Sequence, residues 1–211
     1  MSGVRIVDLS QAVGEDTPVF PGDGPVRVTV LEKGSMNLSR VEFSVHTGTH
    51  MDAPFHFDDD GKTIERVPLE QCMGLARLID LRGIPDGGAI GRGELERFYG
   101  AQMAVLHTGW SRHWGQPGYF SDHPVLSGEA AKFLVERGAR LVGVDTPSVD
   151  RAPYAAHRVL LGAGVPIVEN LTNLEAIGAE VFELFVLPVK LVGRDGAPVR
   201  AVGLVEFQQG G

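Results

Sequence analysis

The stretch His46-Thr-Gly-Thr-His50-Met-Asp52-Ala-Pro-Phe-His56 decides how this 211-residue chain is read. Three histidines and an aspartate fall close together. The spacing of His46 and His50 would put both on one face of a helix, as in helical zinc motifs. Thr47-Gly48-Thr49 is poor helix material, however, and Pro54 follows closely. An extended chain fits better. Positions 46, 50, 52 and 56 share parity, so a strand-like backbone points all four side chains the same way. Gly48 and Pro54 predict local distortion of that strand. Two imidazoles and a carboxylate make a catalytic ligand set for a borderline metal such as zinc, and three protein ligands leave a position for water.

Upstream, Val41, Phe43 and Val45 alternate with Glu42, Ser44 and His46. This predicts a strand over 40–46 that delivers its histidine into a polar cleft. Further strands are predicted at 4–9, 26–31, 75–81, 103–108, 140–145, 166–169, 182–191 and 199–206 from β-branched content or alternation. A helix is predicted over 128–137, with Ser127 as its N-cap and Gly138 as its stop. Shorter helices are expected at 93–99 and around 174–177, where Thr172 and Glu175 have capping-box spacing. Strands outnumber helices and do not alternate with them. The expected fold class is α/β, mixed and β-rich, with residues 1–211 as one domain.

Composition narrows the function. The formal net charge of −8 disfavours nucleic acid and anionic membrane surfaces as partners, since both call for a basic face. Cys72 is the one cysteine, so no intrachain disulfide can form and a reducing compartment is expected. No stretch is apolar for long enough to span a membrane, and the first residues lack the apolar core of a signal peptide. A cytoplasmic protein acting on a small molecule is the expectation.

Other candidates are scattered. His157 follows the run Asp145-Thr-Pro-Ser-Val-Asp150, and Glu169 ends the apolar run Val165-Pro-Ile-Val. A carboxylate directly after a buried strand often sits at the carboxyl end of a sheet, where ligands bind. Glu169 alone reads equally as a turn acid. His107, His113 and His123 read as loop or packing residues, and Cys72 as a buried small hydrophobe. Thr49 reads either as a strand residue or as a hydrogen-bonding support for a ligand.

Residues 46–56 match the pattern His-x-Gly-Thr-His-x-Asp-x-Pro-x-His at every defined position. The chain therefore resembles the cyclase superfamily that contains bacterial kynurenine formamidase and isatin hydrolase. Thr17-Pro-Val-Phe-Pro-Gly-Asp23, Val67-Pro-Leu69, 140–150 and Glu169-Asn-Leu-Thr-Asn-Leu174 extend the resemblance along nearly the whole chain. It implies a swivelling β/β/α fold. It implies that His46, His50 and Asp52 hold a divalent metal, zinc first and manganese second. A second ion would share Asp52 and add His157 and Glu169. His56 resembles the family's catalytic histidine, Phe20 a substrate-contacting position, and a homodimer or homotetramer the usual assembly. The implied reaction is hydrolysis of an aryl formamide, N-formylkynurenine above all. A cyclic amide related to isatin is the alternative substrate, and a non-enzymatic metal-binding or polyketide-cyclase-like protein the second alternative. Phe20 stands where formamidases usually carry tryptophan, and Arg151-Ala-Pro-Tyr-Ala-Ala-His157 departs from their usual pair of histidines.

Overall fold

The computed structural model describes residues 2–208. Its main sheet contains β1 (Ser2–Asp8), β4 (His50–Asp52), β5 (Met73–Asp80), β7 (Met103–His107), β9 (Leu141–Val144), β10 (Ile167–Glu169), β11 (Val181–Pro188) and β12 (Gly196–Gln208). The strand order is β1-β12-β11-β5-β7-β9-β10-β4, and a further pairing of β12 with β4 closes the sheet on itself. β12 makes this closure possible by its length of 13 residues. Gly196–Pro198 pair with β4, while the rest of the strand lies between β11 and β1. β5, β7, β9 and β10 run parallel to their neighbours in that series, and the remaining pairs are antiparallel.

Alternation along the strands divides two cores. Met51, Ala76, Val105, Val168, Leu184 and Ala201 are among the side chains that fill the barrel. Ile79, Leu106, Val144 and Ile167 point outward and pack under α1 (Gly128–Glu136) and α2 (Ala155–Gly162). β7 is buried along its whole length, as befits a parallel strand covered on both faces. The result is the mixed, strand-rich α/β fold expected.

Local expectations met different fates. α1 begins where predicted, with Ser127 Oγ accepting from Ala130 N at 3.2 Å. Two expected helices are single 3₁₀ turns, Gly93–Leu95 and Leu174–Ile177. Asn173, in the left-handed region at φ 56°, caps the second, so the Thr172–Glu175 box does not form. α2 has no distinct signal in the sequence, because its first turn follows the Arg151-Ala-Pro run, which reads as loop. The strand expected over 40–46 ends at Glu42. It is β3 (Leu38–Glu42), paired with β2 (Arg27–Glu32) in a separate hairpin, while β6 (Ala89–Ile90) and β8 (Val125–Leu126) pair as a second small sheet. Both strands are exposed throughout, and Val41 is 51% exposed. The alternation there marks an amphipathic arm whose apolar face lies outside the barrel.

The closing seam leaves little room. Gly196 sits opposite Asp52, and a Cβ there would meet Met51 O at 2.9 Å and the His46 ring at 3.0 Å. We predict that Gly196→Ala destabilises the protein by about 1–3 kcal/mol, lowering Tm by several degrees in a thermal melt, as overpacking does. An unchanged Tm would mean that the seam can open to admit a methyl group.

Candidate metal centre

The run 46–56 is not one extended strand. It has three parts. Residues 43–49 form a turn in which Gly48 takes φ 66°, His50–Asp52 form β4, and Pro54–His56 form a 3₁₀ turn. The parity argument holds within β4, where His50 and Asp52 face the site and Met51 points into the barrel. His46 and His56 reach the same place by turns, and their rings lie 4.3 Å apart.

Neighbouring elements complete the cluster. Glu169, the last residue of β10, lies directly across the ladder from His50. His157 projects from the buried face of α2. His50 Nε2 is 3.3 Å from Asp52 Oδ1 and 3.5 Å from Glu169 Oε2. His157 Nε2 is 3.4 Å from Glu169 Oε1 and 3.7 Å from Asp52 Oδ2. His46 Nδ1 lies 2.8 Å from Asp52 Oδ1. Of the five predicted ligand residues, the three histidines therefore surround the carboxylate pair Asp52 and Glu169, with His56 alongside.

Each imidazole is held from behind. His50 Nδ1 donates to Gly48 O at 2.9 Å. His157 Nδ1 donates to Asp150 Oδ1 at 2.5 Å, and Asp150 Oδ2 also accepts from Ala156 N at the start of α2. His46 Nε2 donates to Asp195 Oδ2 at 2.7 Å. Outer partners of this kind fix the tautomer and aim the inner nitrogen, as around metal-bound histidines generally. Thr49 acts one step further out, donating to Asn170 O at 2.7 Å and accepting from Gln11 N. Asn170 in turn donates to Gly48 O and accepts from the Tyr119 hydroxyl. Asp150, Asn170 and Asp195 carry little signal in the sequence. Asp150 carried a faint signal, an acid seven residues before His157. Asp195 sits in an ordinary Arg-Asp-Gly turn and carried none.

The donor set fits a divalent ion. His50 Nε2 and Asp52 Oδ2 are buried and lack hydrogen-bond partners, although both face the cluster. Buried polar atoms left unpaired cost stability, and a shared cation would satisfy both. His46, Asp52 and His56 form one group whose ligand atoms converge, and His50, Asp52 and Glu169 form another. Electrostatics agree. Burial opposes a charge on His46, but hydrogen bonds to Asp195 and Asp52 outweigh it and raise its pKa to about 10. His157 follows the same pattern, with Asp150, Asp52 and Glu169 overcoming burial and raising its pKa well above the usual range. Asp52 is held well below the carboxylate range despite complete burial, mainly by His50, His157 and His46. Burial lowers the His56 pKa against the opposing pull of Asp52, with His46 and His157 adding to the lowering, so this ring is neutral near pH 7.

A cavity of about 290 Å³ opens over the cluster. Phe20, Phe57, Phe120, Pro147 and Tyr154 line its apolar side. Phe20 stands at the rim, edge-on to Phe120 with centroids 5.7 Å apart, and is 43% exposed. The turn Phe20-Pro-Gly-Asp23, with Gly22 at φ 106°, places both Phe20 and Asp23 on this cavity. His107, His113 and His123 lie outside it, and Cys72 is buried in the barrel core.

Residues 7–151 match the family model named Cyclase. The chain belongs to the cyclase family. It is 41% identical over 212 residues to the kynurenine formamidase of Bacillus anthracis, covering 96% of this chain and 98% of that protein. Among solved structures, the chain resembles isatin hydrolase A from Labrenzia aggregata, at a TM-score of 0.86 and 27% identity over 96% of this chain and 94% of that one. A structure described as a predicted metal-dependent hydrolase from Bacillus stearothermophilus matches at a TM-score of 0.81 and 28% identity, covering 96% and 98% of the two chains.

The raised imidazole pKa values carry a sign that can be tested. A group whose folded pKa lies above its unfolded value stabilises the metal-free protein fully below about pH 6.5, and that stabilisation is lost as pH rises through the folded pKa, about 10 for His46. A metal must displace the same protons. Apparent affinity for a divalent ion should therefore rise between pH 7 and 9 by about tenfold or more per unit, measured by competition with a chromophoric chelator. A flat profile would refute protonation of these imidazoles in the metal-free protein.

Proposed function

We propose that this protein is a kynurenine formamidase, hydrolysing N-formylkynurenine to kynurenine and formate. The observation that carries the reading is the convergence of His46, His50, Asp52, His157 and Glu169 beneath an aromatic cavity, in a chain about 40% identical over nearly its full length to kynurenine formamidases. His46, His50 and Asp52 would hold a first divalent ion, with zinc the leading candidate and manganese the next. His157 and Glu169, sharing Asp52, would hold a second. An ion bound there supplies Lewis-acid polarisation and brings the pKa of water to about 7.

The chain's own groups supply the rest. The aromatic side chains flank a flat aryl ring, and Phe20 closes the rim where the substrate enters. His56, neutral near pH 7 and beside the ligands, takes a proton from the attacking water at its free nitrogen and returns it to the departing nitrogen. An aniline nitrogen leaves more readily than an alkylamine, so the buried imidazole, a weaker base than usual, is adequate for both transfers. A second reading, hydrolysis of a cyclic amide, is favoured by the likeness to isatin hydrolase A. The same proton path serves it, with the leaving nitrogen tethered to the product.

Purified protein should turn over N-formylkynurenine with kcat/KM of about 10⁴ M⁻¹s⁻¹ or more. Chelator should abolish the activity and added divalent metal restore it. His56→Ala should retain metal by elemental analysis while losing about 10²–10⁴-fold in kcat. Asp52→Ala should lose the metal. Hydrolysis of isatin without N-formylkynurenine turnover would select the second reading, and bound metal with neither activity would turn the assignment toward a binding protein.

We also propose a homodimer or homotetramer. Register pairs Val28 with Val41 and puts Val30 on the same face of the β2–β3 hairpin, while Arg27, Thr29, Arg40 and Glu42 take the other. These valines are 38–63% exposed. A two-stranded hairpin is marginal in water unless something covers its apolar face, and a second copy of the chain is the covering we favour. Light scattering on the wild type should give a dimer or tetramer, and Val30→Glu/Val41→Glu should shift it to monomer. An unchanged mass in the double variant would remove the hairpin from the interface.

A further inference from the structure

Asp195 stands outside the ligand set and outside the cavity lining, yet it touches two of the histidines on which the site depends. Its Oδ2 lies 2.7 Å from His46 Nε2 and 3.3 Å from His56 Nδ1. The other nitrogen of His46 faces Asp52. We propose that Asp195 is a positioning residue that sets the tautomers of both the ligand His46 and the proton carrier His56. The proposal rests on the assignment of those two roles above.

The geometry leaves each imidazole one choice. A carboxylate oxygen can only accept, so each ring nitrogen facing Asp195 carries its proton. On His46 this is Nε2–H, which leaves Nδ1, the nitrogen facing Asp52, as the one available to an ion held there. On His56 it is Nδ1–H, which leaves Nε2 as the acceptor. One carboxylate thus aims a ligand and a base together. The site spends its other outer partners singly: Asp150 holds His157 and Gly48 O holds His50.

Asp195 is well placed to hold still. It immediately precedes Gly196, the first residue of β12, and its own carbonyl accepts from Ala53 N at 2.8 Å. The flanking residues are tied in as well, through Arg194 O to Ile64 N and Gly193 N to Glu65. The backbone is fixed by bonds that do not involve the carboxylate. A neutral side chain can therefore replace it without loosening the turn.

The test uses Asp195→Asn in the full-length, metal-reconstituted protein, with Tm as the control for folding. Two readouts need no substrate, so they stand even if the protein acts on something other than N-formylkynurenine. First, zinc affinity by chelator competition should fall about 10–100-fold, the usual effect of losing an outer partner of a metal-bound histidine. Second, long-range ¹H–¹⁵N spectra of the imidazoles should place the His56 proton on Nδ1 in the wild type and give a tautomer mixture in the variant. A third readout uses whichever substrate is turned over. At saturating metal, Asp195→Asn should lower kcat about 10-fold or more with KM little changed, and should lower it no further in a His56→Ala background. Zinc affinity within twofold of wild type, or a His56 tautomer that does not change, would overturn the proposal. Additive losses of kcat in the double variant would likewise show that Asp195 does not act through His56.

Discussion

The antiparallel seam between β4 and β12 is the constraint from which the rest of the site follows. Its three register pairs close the barrel, and the same backbone carries His50, Asp52 and, one residue before the seam, Asp195. β10 borders β4 on its other side and brings Glu169 opposite His50. Hydrogen bonds of the sheet therefore fix the spacing of two central carboxylates and one imidazole before any side chain is considered. The packing cost of disturbing this region is high because its inner face, including Met51 and Ala197, is part of the barrel core.

The remaining groups are attached to that frame by one device used repeatedly. His46, His50 and His157 each turn one nitrogen inward and donate from the other to an acceptor fixed by backbone structure. Asp150 illustrates the economy of this. The carboxylate that accepts from His157 also accepts from Ala156 N in the first turn of α2, where an anion is favoured by the helix dipole. Asn170 does similar work for the 46–49 turn, whose Gly48 carbonyl takes bonds from both His50 and Asn170. The ring orientations follow from these backbone-anchored acceptors.

How much of this the sequence discloses depends on whether the signal is local. Ser127 before an amphipathic run gave α1, and the closely spaced histidines gave the ligand candidates, because cap chemistry and ligand type are properties of residues near one another. Parity failed beyond β4. It assumes a continuous strand, and Gly48 and Pro54 break the run into turns that deliver His46 and His56 by different routes. The alternation at 40–46 was correct as a pattern and misplaced as a burial, since an amphipathic arm and a barrel strand share the same period. Asp195 was out of reach for a different reason. It lies 149 residues from His46 in sequence, and only the closure of the barrel makes them neighbours.

Charge balance explains why the cluster can be built before it is filled. Asp52 and Glu169 at the centre, with Asp150 and Asp195 behind, would repel one another in a buried setting if nothing opposed them. In the metal-free protein the protons on His46 and His157 supply that opposition, which is why their pKa values rise against the effect of burial. A divalent cation held by either ligand set would supply positive charge against the same carboxylates. Binding of the ions proposed above would exchange these protons for metal, with the outer hydrogen bonds from His46 to Asp195 and from His157 to Asp150 preserved. Small zinc domains differ, because their ligands converge only when the metal arrives and folding waits for it. Here the barrel has a large apolar core of its own, so the free energy of metal binding is not needed to hold the chain together and can be tuned for chemistry.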